Sequence, residues 1–120
     1  MTNGSGPRIT TYAAFWPFYL GEHAKPATRR WHFFGTCLST LLIVVAVVTF
    51  NAWWLLAALF AGYGPAWIGH FFVEKNQPAT FKYPLWSLAS DYRMTWTWLI
   101  GRLEDELKKA GVQASSATPR

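Results

Sequence analysis

The sequence predicts an all-α membrane protein: a two-helix transmembrane hairpin flanked by a short N-terminal interfacial helix and a C-terminal amphipathic helix. Three observations carry this reading. Between Arg30 and Glu74 lie forty-three consecutive residues without Asp, Glu, Lys or Arg. Asn51 divides that block into apolar runs of eighteen residues (33–50) and twenty-two residues (52–73). A bilayer core of roughly 30 Å takes about 20 helical residues, so the block is long enough to cross twice and about twice too long to cross once. The flanks are basic and aromatic, with Arg29, Arg30, Lys75, Lys82 and Arg93 among Trp and Tyr residues, as suits a lipid headgroup layer.

Composition excludes the main alternatives. The chain has 120 residues, enough for one domain. Only 14% are charged while 52% are hydrophobic and 18% aromatic, whereas soluble domains carry about a quarter charged residues. A disulfide scaffold is excluded because Cys37 stands alone, and a disordered chain because hydrophobicity is too high. The net charge of +5 sits at the edges of the apolar block rather than in a patch that could track phosphates, so no nucleic-acid partner is expected.

The elements follow in order. Residues 1–10, rich in Gly, Ser, Asn and Thr, bury nothing and are expected to be a disordered tail. The apolar stretch starts too far from Met1 for a secretory signal. From Thr11 to Ala24, Tyr12, Phe15, Trp16, Phe18 and Tyr19 surround Pro17, which is expected to open a short interfacial helix. Pro26 restarts the chain in the first turn of a transmembrane helix over about 27–50, and a second spans about 52–73 after a turn at Asn51. A hairpin brings both ends to one face. That face is basic, which puts both termini in the cytoplasm. Gly62, Gly64 and Gly69 form a close-packing stripe that suits a homo-oligomer, and Pro65 suits a kink. Beyond Glu74, Pro78 and Pro84 bracket an extended interfacial segment. A last helix over about 88–110 sets Trp96, Leu99, Leu103 and Leu107 on one apolar face, with Glu104/Lys108 and Asp105/Lys109 paired on the wet side. Gly111 is its C-cap. Residues 11–110 thus read as a single membrane domain, and 111–120 as a second disordered tail.

The chemistry rests on three histidines. His32 lies nineteen residues before Asn51 and His70 nineteen after it. In an antiparallel pair turning at Asn51, equal separations mean equal depth, about 28 Å from the turn at helical rise. His23, nine residues before His32 across the Pro26 break, can fold back over the same end, so every histidine can converge at one interfacial spot. Glu74 is i+4 from His70 and shares its helical face, and Glu22 and Asp91 are within reach. Imidazoles with a carboxylate suit Fe(II), Zn and other first-row metals, with coordination positions left open for oxygen or substrate. The candidate ligands are therefore His23, His32, His70 and Glu74, with Glu22 and Asp91 as alternatives to Glu74. Each has a plainer reading. His32 beside Trp31 can be an interfacial anchor, His23 a helix C-terminal cation, Glu74 a partner of a nearby lysine or arginine, and Cys37 a small packing residue. On that reading the protein is a non-enzymatic membrane scaffold or interaction protein with a structural His/Glu cluster.

The residues also carry a resemblance. Tyr19-Leu20-x-Glu22-His23, Arg29-Arg30-x-His32-x-x-Gly35-Thr36, and the block from Gly62-Tyr63-x-x-Ala66-Trp67-Ile68-Gly69-His70-Phe71-x-x-Glu74-x-Asn76-x-Pro78 through Tyr83-Pro84-x-Trp86-Ser87-Leu88-x-x-Asp91-x-x-Met94 resemble the short bacterial branch of a membrane family. The studied fungal relative in that family is the endoplasmic-reticulum 2-hydroxy fatty acid dioxygenase. The likeness covers roughly 15–94 and implies an integral membrane protein, in a bacterium of the inner membrane. It implies an Fe(II)-dependent oxidoreductase of fatty acid metabolism, taking a long-chain 2-hydroxy fatty acid and O₂ and releasing CO₂ and an acid one carbon shorter. His23, His32 and His70 fall on the family's essential histidines and are the implied catalytic, metal-binding residues. Arg29, Arg30 or Lys75 would then neutralise the substrate carboxylate.

Overall fold

The structure, a computed structural model, describes residues 8–112. It is all-helical, with no strand among the described residues. In chain order the elements are α1 (Tyr12–Gly21), α2 (Pro26–Thr49), α3 (Trp53–Ile68) continued by a π-helical turn (Gly69–Glu74), a 3₁₀ turn (Ala79–Phe81), α4 (Pro84–Leu99) and α5 (Leu103–Lys109). Of the expected tails, residues 1–7 and 113–120 lie outside the described residues. Residues 8–10 are tied down, since the Ile9 N–H donates to the Tyr83 hydroxyl at 2.9 Å and Arg8 lies over the Tyr83 ring.

α2 and the α3–π segment form the hairpin, and both are long and apolar enough to cross a membrane. Pro26 takes the first position of α2, where its missing N–H costs nothing. At the far end Phe50 adopts φ 54°, and the Asn51 N–H reaches the Ala46 carbonyl while the Phe50 N–H reaches Val47. That paired closure is a Schellman end, and it makes a tight turn at the position Asn51 marks. Small residues set the helix separation. A Cβ at Gly35 would lie 2.9 Å from the Gly62 carbonyl oxygen, and one at Gly69 3.3 Å from Thr28 and Trp31. Gly62 in turn packs on Ser39, whose hydroxyl donates to the Ala58 carbonyl at 2.8 Å. Gly62 and Gly69 therefore serve the hairpin itself, and Gly64 alone of that stripe faces open space. The outer faces stay apolar and uncovered, with Val48 and Phe60 both 70% exposed, as a lipid-facing surface requires.

The remaining helices form a cap over the open end of the hairpin. Its core is Phe15, Tyr19 and Leu20 of α1, Met94 of α4, and Leu103 and Leu107 of α5. Trp16 ties the three helices together: its indole N–H donates to Glu106 at 2.9 Å and Arg93 lies 4.0 Å over its ring. α4 also lies against α2, with Trp98 stacked on Phe33 at 4.3 Å and Tyr92 bonded to Thr40 at 2.6 Å.

Five local expectations are corrected. Pro17 does not open α1: Thr11 does, its hydroxyl accepting the Ala14 N–H at 3.2 Å, and Pro17 sits inside the helix on its exposed side. The segment up to Trp86 is not extended, because a 3₁₀ turn is followed by Pro84 at the first position of α4. The helix expected over 88–110 is two helices. Gly101 at φ +75° ends α4, with Arg102 N–H on the Thr97 carbonyl and Gly101 N–H on Trp98, the Schellman geometry that glycine makes accessible. The break also rotates the apolar face: Leu103 and Leu107 are buried while Trp96 and Leu99 are each 61% exposed, and Ser87, Ser90, Met94 and Thr95 face inward instead. On α5 the i,i+4 charge pairs are replaced by Glu106, which lies 3.9 Å from both Arg93 and Lys109. Gly111 at φ +80° does close α5, with Val112 N–H on the Leu107 carbonyl.

Candidate metal centre

His23, His32 and His70 meet where the cap closes the hairpin. His23 follows the C-cap of α1, His32 lies two turns into α2, and His70 is the second residue of the π-helical turn. All three are buried. Their Nε2 atoms form a triangle of 2.9 Å (His23–His32), 3.1 Å (His32–His70) and 3.0 Å (His70–His23).

The opposite ring nitrogens fix what those three atoms are. His23 Nδ1 lies 2.7 Å from the Tyr19 carbonyl oxygen and His70 Nδ1 lies 2.7 Å from Asn76 Oδ1. Both partners only accept, so both Nδ1 atoms carry the proton. His32 Nδ1 faces Asp91 Oδ1 at 3.4 Å, which favours the same tautomer. Burial, reinforced by the neighbouring His32 and His70, pushes His23 well below the usual imidazole range, so it is neutral at physiological pH. Three Nε2 lone pairs therefore point at one another with no proton between them. Such a triangle repels itself unless a cation sits against it, and histidine ligands with their second nitrogen bonded to a carbonyl or carboxylate are the usual surroundings of a bound metal. The spacing is also suitable. At metal–nitrogen distances of about 2.1 Å, ligands on one octahedral face stand about 3.0 Å apart and tetrahedral ligands about 3.4 Å apart; the observed triangle matches the octahedral face.

The supporting residues are themselves anchored. Asp91 Oδ1 also accepts the Tyr19 hydroxyl at 2.5 Å, and burial together with Asp91 pushes the Tyr19 phenol well above its usual range. Asn76 donates from Nδ2 to the Glu22 carbonyl at 3.1 Å and to Glu22 Oε1 at 3.0 Å. Burial, then the nearby Glu74, pushes Glu22 up to about 7 from an ordinary 4.5.

The carboxylates and cations fall elsewhere. Within the described residues, the ligand atoms that lie within 4.8 Å of one another belong to His23, His32 and His70; Glu74, Glu22 and Asp91 stand outside that group. Glu74 Oε1 accepts from the Thr28 hydroxyl at 2.7 Å and the Lys25 N–H at 3.1 Å, pinning the start of α2. Arg29 is buried, and its Nη1 donates to the His23 carbonyl at 2.8 Å and the Ala24 carbonyl at 2.9 Å, which fixes the turn that delivers His23. Arg30 and Lys75 are exposed, and none of Arg29, Arg30 and Lys75 borders the cleft beside the histidines. Asn76 was not predicted from the sequence. It is six residues beyond His70, a spacing that becomes adjacent only because the π-helical turn and Lys75 at φ 65° fold it back, with the Asn76 N–H on the His70 carbonyl at 2.9 Å. Tyr19 was legible in principle, being one helical turn before His23.

Comparison with known proteins adds a family. The family described as 2-hydroxy-palmitic acid dioxygenase Mpo1-like matches the chain over residues 9–103, which takes in all three histidines and their supports. No curated protein and no solved structure matches the chain.

Proposed function

The chain belongs to the Mpo1-like family, and on that premise we propose that it is a metal-dependent membrane dioxygenase acting on a long-chain 2-hydroxy fatty acid, which it shortens by one carbon with O₂ and release of CO₂. The observation that carries the reading is the converging triangle of Nε2 atoms, each ring held by its other nitrogen. His23, His32 and His70 are the ligands on this reading. The three imidazole nitrogens would hold the metal and leave part of its coordination shell for a 2-hydroxy carboxylate and O₂. Bound Fe(II) supplies the oxygen chemistry, and zinc in the same site would instead serve hydrolysis.

The protein's own contribution is orientation and exclusion of water. The Tyr19 carbonyl, Asn76 and Asp91 hold the imidazoles in the tautomer that presents Nε2, so no reorganisation is needed when a cation arrives. The cap core of Phe15, Tyr19, Leu20 and Met94 shields the site from the aqueous side. We place the histidine end of the hairpin at the cytoplasmic face of the membrane, with both termini cytoplasmic, since Lys25, Arg29, Arg30, Lys75 and Lys82 all lie at that end.

The test is metal analysis of anaerobically purified protein beside a variant with all three histidines changed to Gln. Near-stoichiometric iron, lost in the variant, together with O₂-dependent CO₂ release from 2-hydroxyhexadecanoic acid, is the expected result. Zinc would redirect the chemistry to hydrolysis. No metal after Fe(II) reconstitution would overturn the reading in favour of a structural histidine cluster.

A further inference from the structure

The cleft beside the histidines is small, about 10 Å³, and is bordered by His32, His70, Tyr63, Asp91 and Ser87. Tyr63 and Asp91 also border a second cavity of about 250 Å³, which runs between α2, α3 and α4 past Ser39, Leu59 and Leu88 to Ile43 and Leu55. The two spaces therefore lie side by side, with Tyr63 and Asp91 as their common wall. Ile43, Leu55, Leu59 and Leu88 are exposed on the flank of the hairpin, so the larger cavity opens toward lipid rather than water. Its reach is informative: Ile43 is eleven residues beyond His32 on the same helix, about 17 Å at helical rise. Half of a bilayer core of about 30 Å, the depth one acyl chain fills, is close to that.

The inner end carries a second, independent signal. Ser87 is 2% exposed, and among the described residues its hydroxyl is the buried side-chain polar atom without a hydrogen-bond partner. Buried hydroxyls are nearly always satisfied, so Ser87 has a hydrogen bond to offer to a group that enters the cleft. The next turn of α4 reaches Asp91, whose Oδ1 already accepts from Tyr19 and faces His32, and Ser87 offers a hydroxyl on the same cleft as His32 and His70. A polar cleft beside the histidines, next to a cavity whose outer end is lined by Ile43, Leu55, Leu59 and Leu88, suits a single-chain amphiphile.

Resting on the dioxygenase reading above, we propose that the groove between α2, α3 and α4 holds the acyl tail of one substrate molecule, that Ser87 donates a hydrogen bond to an oxygen of its head group, and that Ile43 and Leu55 at the far end set the preferred chain length. The substrate then enters sideways from the leaflet, tail already in lipid, and only its head group crosses into the cleft. Ser87 acts through binding. Its orphan hydroxyl is a cost to the empty protein that the substrate relieves.

The experiment uses full-length, iron-loaded protein in lipid nanodiscs. Ile43→Trp and Leu55→Trp are compared with Val47→Trp, an outward-facing control, on 2-hydroxy acids of sixteen and ten carbons. The groove variants are expected to lower the ratio of kcat/KM for the long over the short acid by about tenfold, with iron content unchanged and the control unaffected. Ser87→Ala is expected to raise KM for both lengths alike while raising the melting temperature of the substrate-free protein. A merely structural serine would give a lower melting temperature and an unchanged KM, and that result overturns its role. An unchanged length ratio in both groove variants overturns the groove. Photocrosslinking with a 2-hydroxyhexadecanoic acid bearing a terminal diazirine separates the two layers of argument. Adducts at Ile43 or Leu55 without turnover uphold the groove and sink the dioxygenase reading; turnover with adducts confined to the outer face near Val47 does the reverse.

Discussion

Asn76 Oδ1 accepts the Nδ1 proton of His70 at 2.7 Å, while the amide of the same side chain donates to Glu22 on the far side of the α1–α2 turn. One amide therefore orients a candidate ligand and binds together the two segments that deliver His70 and His23. Its position depends on the π-helical turn, a wider winding that recurs at functional sites.

On the proposed reading of the three histidines as iron ligands, removing that amide should weaken metal binding more than the fold. Asn76→Ala is expected to lower iron affinity by about 10- to 100-fold, the usual effect of losing a ligand's outer partner. Asn76→Asp keeps an acceptor for His70 but loses the donor to Glu22, and is expected to retain more affinity than Asn76→Ala. Competition with a chelator, read by iron retained per protein, checks both. Equal affinity in Asn76→Ala and wild type would show that the contact does not support a ligand.

Gly35 tests the hairpin. A Cβ there would meet backbone, lying 2.9 Å from the Gly62 carbonyl oxygen and 3.1 Å from that of Ala61, and backbone cannot swing aside as a side chain can. Gly35→Ala should push α2 from α3 and cost about 1–3 kcal/mol, seen as a lower melting temperature in detergent. Gly64→Ala, where nothing lies within 4 Å, should be neutral or slightly stabilising through helix propensity. A Gly64→Ala variant as damaged as Gly35→Ala would mean that Gly64 packs against another copy.

The sequence revealed most where a period or a symmetry governs. Equal spacing of His32 and His70 about Asn51 implied equal depth, and the two Nε2 atoms are 3.1 Å apart, because a regular helix converts count into height. Glu74 shows where that logic stops. It is i+4 from His70, one face of an α-helix, but the turn between them is wound i→i+5, which carries Glu74 off the histidine face to Thr28 and brings Asn76 in. Gly101 shows a second limit. An apolar stripe through Trp96, Leu99, Leu103 and Leu107 is continuous only if the helix is, and a glycine in the left-handed region ends it. Arg29 illustrates a third, since its burial against two carbonyls of the α1–α2 turn depends on a tertiary fold-back that no local pattern encodes.

Glu22 gives the metal-free protein a pH dependence of known sign. Its folded pKa, raised by burial and by Glu74 to about 7, lies above the ordinary 4.5, so folding binds a proton between those values. The stability associated with the protonated form is complete below about 4.5 and lost as pH rises through about 7. Glu22 is only half buried, and solvent screening keeps the effect modest. In metal-free protein His23, whose imidazole is held below its usual range, contributes in the opposite sense, so the Glu22 share is read as a difference: the melting temperature of Glu22→Gln relative to that of wild type should rise between pH 5 and pH 8. A difference that stays constant with pH would assign the dependence to another group.

Tyr19 and Asp91 act on His32 through a single carboxylate oxygen, which takes the Tyr19 hydroxyl at 2.5 Å and faces His32 Nδ1 at 3.4 Å. Two residues acting through one atom should not be additive. Asp91→Asn replaces the oriented carboxylate with a neutral amide and is expected to lower iron affinity by about tenfold or more. Tyr19→Phe leaves Asp91 in place but frees it to rotate, and is expected to cost less. If the tyrosine acts only by holding the aspartate, Tyr19→Phe added to Asp91→Asn should cost almost nothing further. A double variant whose loss equals the product of the two single losses would instead give Tyr19 a separate role, through the ring that packs 4.2 Å from His23. Chelator competition on the four proteins decides between them, because the coupling is read from the ratio of affinities and is insensitive to any uniform loss of folded protein.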